Sequence, residues 1–198
     1  MDVVGAVDEL EHRLSIEQRS VHVVAVDGHS AAGKSTFAEQ VVRRFGAARI
    51  PGDDFYRVMD PDTRAGLSAQ QGATLYYDWE RMLDEAVTPL RHGRTARYRP
   101  YDWSRNCLSE QTSEIEPASV VVVEGLFVSR PELGDAVDVC ILVTSEPSIR
   151  RQRQADRADA SQDWLDRWEA AERWYFEHVR KADSFDIIVQ GPPADRPV

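Results

Sequence analysis

The densest run of chemistry-bearing residues is Gly28-His29-Ser30-Ala31-Ala32-Gly33-Lys34-Ser35, a glycine, four residues, then Gly-Lys-Ser. Glycines let the backbone turn tightly enough for successive N–H groups to converge on an anion, and a helix starting there adds the positive end of its dipole. This spacing is that of a P-loop, which cradles the phosphates of a nucleoside triphosphate. Gly28, His29, Ser30, Ala31, Ala32, Gly33, Lys34, Ser35 and Thr36 are therefore the candidate nucleotide-binding residues. Lys34 is expected to reach the β- and γ-phosphates and Ser35 to ligate Mg²⁺. Composition singles out the same lysine: of 24 basic residues only Lys34 and Lys181 are lysines, and the other 22 are arginines. A compact ammonium fits between phosphates where a broad guanidinium does not.

Phosphoryl transfer also needs a carboxylate near the acceptor hydroxyl and oxygen ligands for magnesium. Asp53 and Asp54 follow the short apolar stretch Ala48-Arg49-Ile50-Pro51, and Glu124 closes the run Val120 to Val123. Both positions are where loops leave the C-terminal edge of a parallel sheet, the edge along which ligands of open α/β sheets bind. Arg150, Arg151, Arg153 and Arg157 could form a lid that closes on phosphates, or a solvated helix face. Tyr98, Tyr101 and Trp103 interleave with Arg97, Arg99 and Arg105; they could stack on a planar ligand or pack their own segment onto the domain. Trp164 and Trp168, one helical turn apart, read as core. Cys107 and Cys140 form neither a disulfide framework nor a metal-ligand spacing.

The elements that must hold these residues follow from periodicity. Asp2 to Arg19 reads as an amphipathic helix, Val21 to Val26 as a strand, and Lys34 to Phe45 as a helix. Strands are further expected at Val120 to Val123, Val137 to Val143 and Ile187 to Val189, apolar without alternation because both faces are covered. Helices are expected over Asp78 to His92, from Pro147 to a break near Asp159 to Asp163, and from Trp164 to Lys181. Thr95 to Tyr101 and Gln111 to Ile115 read as two strands of an inserted hairpin, and Gly191 to Val198 as a frayed tail. Strand and helix alternate, which predicts an α/β domain with a mainly parallel sheet and right-handed crossovers.

Composition narrows the function class. The chain has 198 residues and 42% hydrophobic content, enough for one sizeable core. Its 34 acidic residues give a net charge of −10, which opposes a nucleic acid or an anionic membrane as main partner and leaves a small molecule. No apolar run approaches the roughly 18 residues of a membrane-spanning helix, and Asp2, Asp8 and Glu9 do not suit a signal peptide. A cytoplasmic protein is expected, with room for a homo-oligomer. The guanine-reading motif of switch GTPases is missing, since Asn106 is the single asparagine and precedes Cys107. A regulatory ATPase, a nucleotide kinase and an antibiotic-type phosphotransferase stay open beside a kinase acting on a small alcohol.

Taken in order, Gly28 to Ser35, Asp53-Asp54-Phe55-Tyr56-Arg57, Tyr101-Asp102-Trp103, Val123-Glu124-Gly125 and the arginines from Arg150 resemble the uridine kinase family. Phosphoribulokinases and pantothenate kinases share much of that order, and the likeness spans Val21 to Gly191. The resemblance implies an α/β P-loop NTPase three-layer sandwich with a mainly parallel five-stranded sheet, an inserted hairpin at 94–116 and an arginine-bearing lid at 150–163. It implies ATP and Mg²⁺, and a small-molecule alcohol as acceptor. It makes Asp53 the catalytic base, with Asp53, Ser35 and Glu124 as magnesium ligands, Arg150 and Arg153 as lid arginines, and Asp54, Tyr56, Tyr101 and Arg105 as substrate residues. Two departures stand out. Gly72-Ala73-Thr74-Leu75-Tyr76-Tyr77 occupies the place of the family's acidic Asp-His-Pro-type segment, which grips ribose hydroxyls, and the histidine after the Tyr-Asp-Phe segment is missing. Uridine and cytidine are accordingly expected to be poor acceptors.

Overall fold

The computed structural model describes residues 1–17, 19–155 and 161–191. Arg157 with the rest of 156–160, and the tail beyond Gly191, lie outside the described residues. In chain order, α1 (Val3–Ile16), β1 (His22–Asp27), α2 (Lys34–Phe45) and β2 (Ala48–Pro51) lead into a 3₁₀ turn at Gly52–Phe55. Four short helices follow, α3 (Pro61–Ala65), α4 (Ala69–Leu75), α5 (Trp79–Met82) and α6 (Thr88–Arg91). After them come β3 (Ala96–Tyr98), β4 (Tyr101–Asp102), β5 (Cys107–Leu108), β6 (Ser113–Ile115) and β7 (Val120–Glu124). The chain continues through β8 (Val139–Thr144), α7 (Pro147–Ala155), α8 (Gln162–His178) and β9 (Ile187–Gln190).

The main sheet has five strands in the order β2-β7-β1-β8-β9, and every pair is parallel. Strand side chains alternate faces, and this sorts the valine runs into two cores. Val23, Ala25, Val121 and Val123 face a cluster roofed by α4, α5 and α8, whereas Val24, Val26, Val120 and Val122 face α1 and α2. That is a three-layer α/β sandwich, and it explains why the strands lack polar alternation. Register places Val26 of β1 and Pro51 of β2 on either side of Glu124 in β7, so three loops leave the sheet at one point.

Several elements differ from their expected form for local reasons. The helix expected at Asp78 to His92 contains a π turn, Leu83–Val87, where Thr88 N–H reaches back to Leu83 O. Pro89 follows directly; it has no N–H to give and crowds the preceding turn. The inserted segment holds two short ladders, β3 with β6 and β4 with β5, separated on one side by Arg99-Pro100. Hydrophobic period does not announce helices α3 and α4. They are too short to show a period, and α4 is fixed instead by a capping box between Ser68 and Gln71. No helix among the described residues is long and apolar enough to cross a membrane.

Candidate active site

The loop after β1 turns through Gly28 at φ 145° and Gly33 at φ 102°. A Cβ at Gly28 would overlap the Val143 carbonyl, so glycine is required there by both torsion and space. Ala31 sits at φ 61°, a conformation costly for an L-residue and held here by the loop around it. Lys34 Nζ donates to Gly28 O at 2.9 Å and His29 O at 3.0 Å, so the ammonium spans the loop.

Two buried carboxylates brace this loop from beneath. Asp27, fully buried at the end of β1, accepts from Gly28 N, Phe127 N, Ser129 N and the Tyr175 hydroxyl. Burial pushes its carboxyl above the ordinary value, and the hydrogen bonds from Ser129 and Gly28 pull it back. Glu172 of α8, 1% exposed, accepts from Ser30 N at 3.2 Å and from the Ser30 hydroxyl, and pairs with His29 Nδ1 at 3.0 Å. Burial alone would raise the Glu172 carboxyl, but the hydrogen bonds from His29 and Ser30 and the charge of Lys34 outweigh it and hold it below the ordinary value.

Above the loop lies a cavity of about 490 Å³. Ser30, Ala31, Gly33, Lys34, Ser35 and Thr36 form its floor, Asp53, Tyr77 and Glu124 one side, and Trp103, Trp164 and Trp168 the aromatic wall. Ser35 Oγ lies 3.4 and 3.3 Å from the Glu124 carboxylate oxygens, and Arg49 Nη2 holds Glu124 Oε1 at 2.5 Å. Asp53 faces the cavity with Oδ1 accepting from the Tyr77 hydroxyl at 2.8 Å. Magnesium binds proteins through one or two carboxylates plus substrate phosphates and water. A serine hydroxyl beside a glutamate with one oxygen paired to Arg49, with Asp53 on the same cavity, fits that donor set; no cluster of three or more His, Cys, Asp or Glu ligands occurs among the described residues.

None of the four expected substrate residues lines this cavity. Asp54 turns the other way, accepting from the Tyr98 hydroxyl at 2.8 Å, and burial raises its carboxyl above the ordinary value. Tyr101 is buried and donates to Asn106 Oδ1 at 2.7 Å. Arg105 is exposed and paired with Glu110 at 3.3 Å. Tyr56 is buried within an aromatic cluster, stacked on Trp103 with ring centroids 4.5 Å apart. Of the lid arginines, Arg153 Nη1 donates to Ala31 O at 3.1 Å across the loop, while Arg150 is half-buried and outside the cavity lining. His29 packs on Phe176 at 4.4 Å and faces Glu172, away from the cavity.

Some residues of this site escape a reading of the sequence by motif. Trp168, in the core as expected, and Trp164, packed against that core, also line the cavity, and Glu172 and Tyr175 continue their line along α8. The available signal was a glutamate within an otherwise apolar helical stripe. Tyr77 and Arg49 gave none, because their roles depend on strands and helices distant in sequence.

A phosphate loop opening a helix, with a carboxylate on the neighbouring strand and an acid across one cavity, defines a P-loop kinase of the α/β class. Residues 23–193 match the Phosphoribulokinase / Uridine kinase family, and the chain belongs to it. It is 29% identical over 140 residues to a uridine kinase of Macrococcus caseolyticus, covering 68% of each chain. It is 28% identical over 149 residues to a uridine kinase of Streptococcus uberis, covering 71% of this chain and 69% of the other. Among solved structures, a possible uridine kinase from Bacillus stearothermophilus superposes with a TM-score of 0.71 at 19% identity, covering 96% of this chain and 100% of that one. A D-glycerate 3-kinase from Cryptococcus neoformans superposes with a TM-score of 0.65 at 13% identity, covering 96% and 93%. Both structural likenesses show the fold. The family makes the protein an ATP-dependent kinase with a small-molecule alcohol as acceptor.

Proposed function

We propose that this enzyme transfers the γ-phosphoryl group of ATP to a hydroxyl of a small alcohol that is not a pyrimidine nucleoside. The observation that supports it is the single cavity shared by the phosphate loop, Asp53 and three tryptophans. In this reading Asp53 takes the proton of the acceptor hydroxyl as that oxygen bonds to phosphorus. The bond from phosphorus to the β-bridging oxygen breaks, releasing ADP and a phosphate monoester. The transition state of such a transfer is loose and spreads charge over the equatorial oxygens, so positioning and electrostatics supply most of the acceleration. Lys34 would supply positive charge at the β- and γ-phosphates. Ser35, Glu124 and Asp53 would hold magnesium, which when bound neutralises charge on the phosphate oxygens.

Tyr77 orients Asp53 by holding Oδ1, and Oδ2, which has no hydrogen bond among the described residues, would meet the acceptor. Trp168 is buried and Trp103 is half exposed, so closure of the Trp103 side over bound substrates would exclude water and favour transfer to the alcohol over hydrolysis. On the acceptor side, α4 carries Gly72-Ala73-Thr74-Leu75 where the family's acidic segment lies, and the Tyr76 ring packs onto Gly72. That surface offers no carboxylate to grip a ribose diol. The same scaffold serves a protein named D-glycerate 3-kinase, so acceptors other than nucleosides suit it. ADP release measured against nucleosides, hydroxy acids, sugars and amino alcohols tests the reading. Turnover with a non-nucleoside alcohol is the expected outcome, and acceptor-independent ATP hydrolysis alone would refute it.

A further inference from the structure

Behind the tryptophan wall lies a second, smaller chamber of about 160 Å³. Its lining includes Tyr56, Tyr76, Arg64, Arg167, Trp164 and Trp168, and the two tryptophans also belong to the main cavity. Whole-ligand pockets begin at about 300 Å³, so its size suits one functional group of a ligand. Three of its lining residues carry a buried donor with no hydrogen-bond partner: Tyr56 Oη, Arg64 Nε and Trp168 Nε1. Tyr56 is 2% exposed and Trp168 6%. Buried donors are nearly always satisfied in folded proteins, and three belonging to residues that line one small chamber suit a ligand that supplies acceptors.

The charge of the missing group follows from its neighbours. Arg64 lies over the Tyr56 ring at 4.7 Å, and its Nη2 donates to Arg57 O and Asn106 Oδ1, both neutral acceptors. Among the described residues neither Arg64 nor Arg167 has a carboxylate within 4.0 Å. Both guanidiniums act on the Tyr76 hydroxyl, which burial raises and their charges lower. The chain carries a net charge of −10, yet the lining of this chamber holds two cations and no acid among the described residues; Asp60, outside the lining, feels the charge of Arg64 without pairing with it. A neutral sugar hydroxyl would ask for acceptors as well as donors, whereas a carboxylate or phosphate is all acceptor.

We infer that the alcohol phosphorylated by this enzyme carries an anionic group, a carboxylate or a phosphate, seated among Arg64, Arg167, Tyr56 and Trp168 while its hydroxyl meets Asp53. The inference rests on the kinase reading above and specifies its substrate class. Trp164 and Trp168 line both spaces, so this seating requires one molecule of hydroxy acid or sugar phosphate to reach along them from Asp53 to the arginines.

Matched acceptor pairs test it by steady-state ADP release: glycerate against glycerol, pantothenate against pantothenyl alcohol, and a pentose 5-phosphate against the free pentose. The anionic member of at least one pair should exceed its neutral partner by about tenfold or more in kcat/KM, as expected when a charged, buried contact is made or lost. The carboxylate and phosphate arms tell the two groups apart. Arg64→Gln and Arg167→Ala should each raise the KM of the anionic member by about tenfold, with the smaller effect on kcat, so that the preference within the pair collapses. Arg167 is only half-buried on α8, which keeps the test available if Arg64→Gln fails to fold. Equal use of both members, or losses in the variants that fall alike on neutral and anionic alcohols, would overturn the anionic subsite and leave the kinase reading standing. No ADP release with any pair, from protein that binds MgATP, would overturn the kinase reading and the subsite with it.

Discussion

Asp53 and Asp54 are neighbours in the chain with opposite surroundings. One faces the cavity under the Tyr77 hydroxyl, the other is tied to Tyr98 away from it. Asp53→Asn should lower kcat by about a hundredfold or more, the usual contribution of a positioned base, while leaving ATP binding intact. Asp54→Asn should instead show in the melting temperature, since it weakens a partly buried hydrogen bond, with kcat close to wild type. Reversed severities in steady-state kinetics would place the working carboxylate one residue later. Lys34→Ala removes the charge held over the loop by Gly28 O and His29 O. Its expected cost is about a hundredfold to a thousandfold in kcat, and near-normal turnover by folded mutant protein would contradict the assignment of the nucleotide site.

At the scale of an element, α8 carries the most function for its length. One stripe of it presents Trp164 and Trp168 to the cavity, Glu172 to the phosphate loop and Tyr175 to Asp27 at the end of β1. Glu172 therefore ties the loop's conformation to a helix far along the chain. Glu172→Gln keeps the shape and removes the charge facing His29 and Ser30; the KM for ATP should rise about tenfold, in line with the loss of a charge-assisted hydrogen bond. Stability gives a second readout. The Glu172 carboxyl is held below its ordinary value of 4.5, so its stabilisation is present above that value and lost as pH falls through the lower value of the folded state. Wild-type melting temperature should accordingly drop more steeply below pH 4.5 than that of Glu172→Gln. Parallel acid limbs would show that the carboxylate contributes no such linkage.

For the whole molecule, the question is why a uridine kinase fold would decline uridine. The phosphate loop and the Asp53 turn stand on the ends of the central strands, which pack on both faces and tolerate little change. The acceptor side is built from short helices and the inserted ladders, which can vary without disturbing the sheet. Here that side presents tyrosine, tryptophan and arginine. Discrimination by buried polar groups is steep because a mismatch leaves them unpaired. Uridine and cytidine should show kcat/KM below about 10⁴ M⁻¹s⁻¹, the lower end for enzymes on their own substrates. Steady-state kinetics with both nucleosides at saturating MgATP check this, and a value above that bound would mean that the nucleoside pocket survives.

The sequence by itself determined what is local and contiguous. The phosphate loop's nine residues, the valine strands and the helix that follows the loop are each specified by neighbours in the chain, through glycine torsions and hydrophobic period. The position of Glu124 at a strand end was legible for the same reason. Tertiary structure alone decided which side chains meet. Glu172 reaches His29 across 143 residues of sequence, and the Tyr175 hydroxyl reaches Asp27 across 148. Arg105, expected at the substrate, lies paired at the surface, while Trp168 in the core and Trp164 packed against that core also wall the cavity. No periodicity records such choices: a helix face or a strand end fixes where a side chain starts, and only the packing of distant elements fixes what it touches.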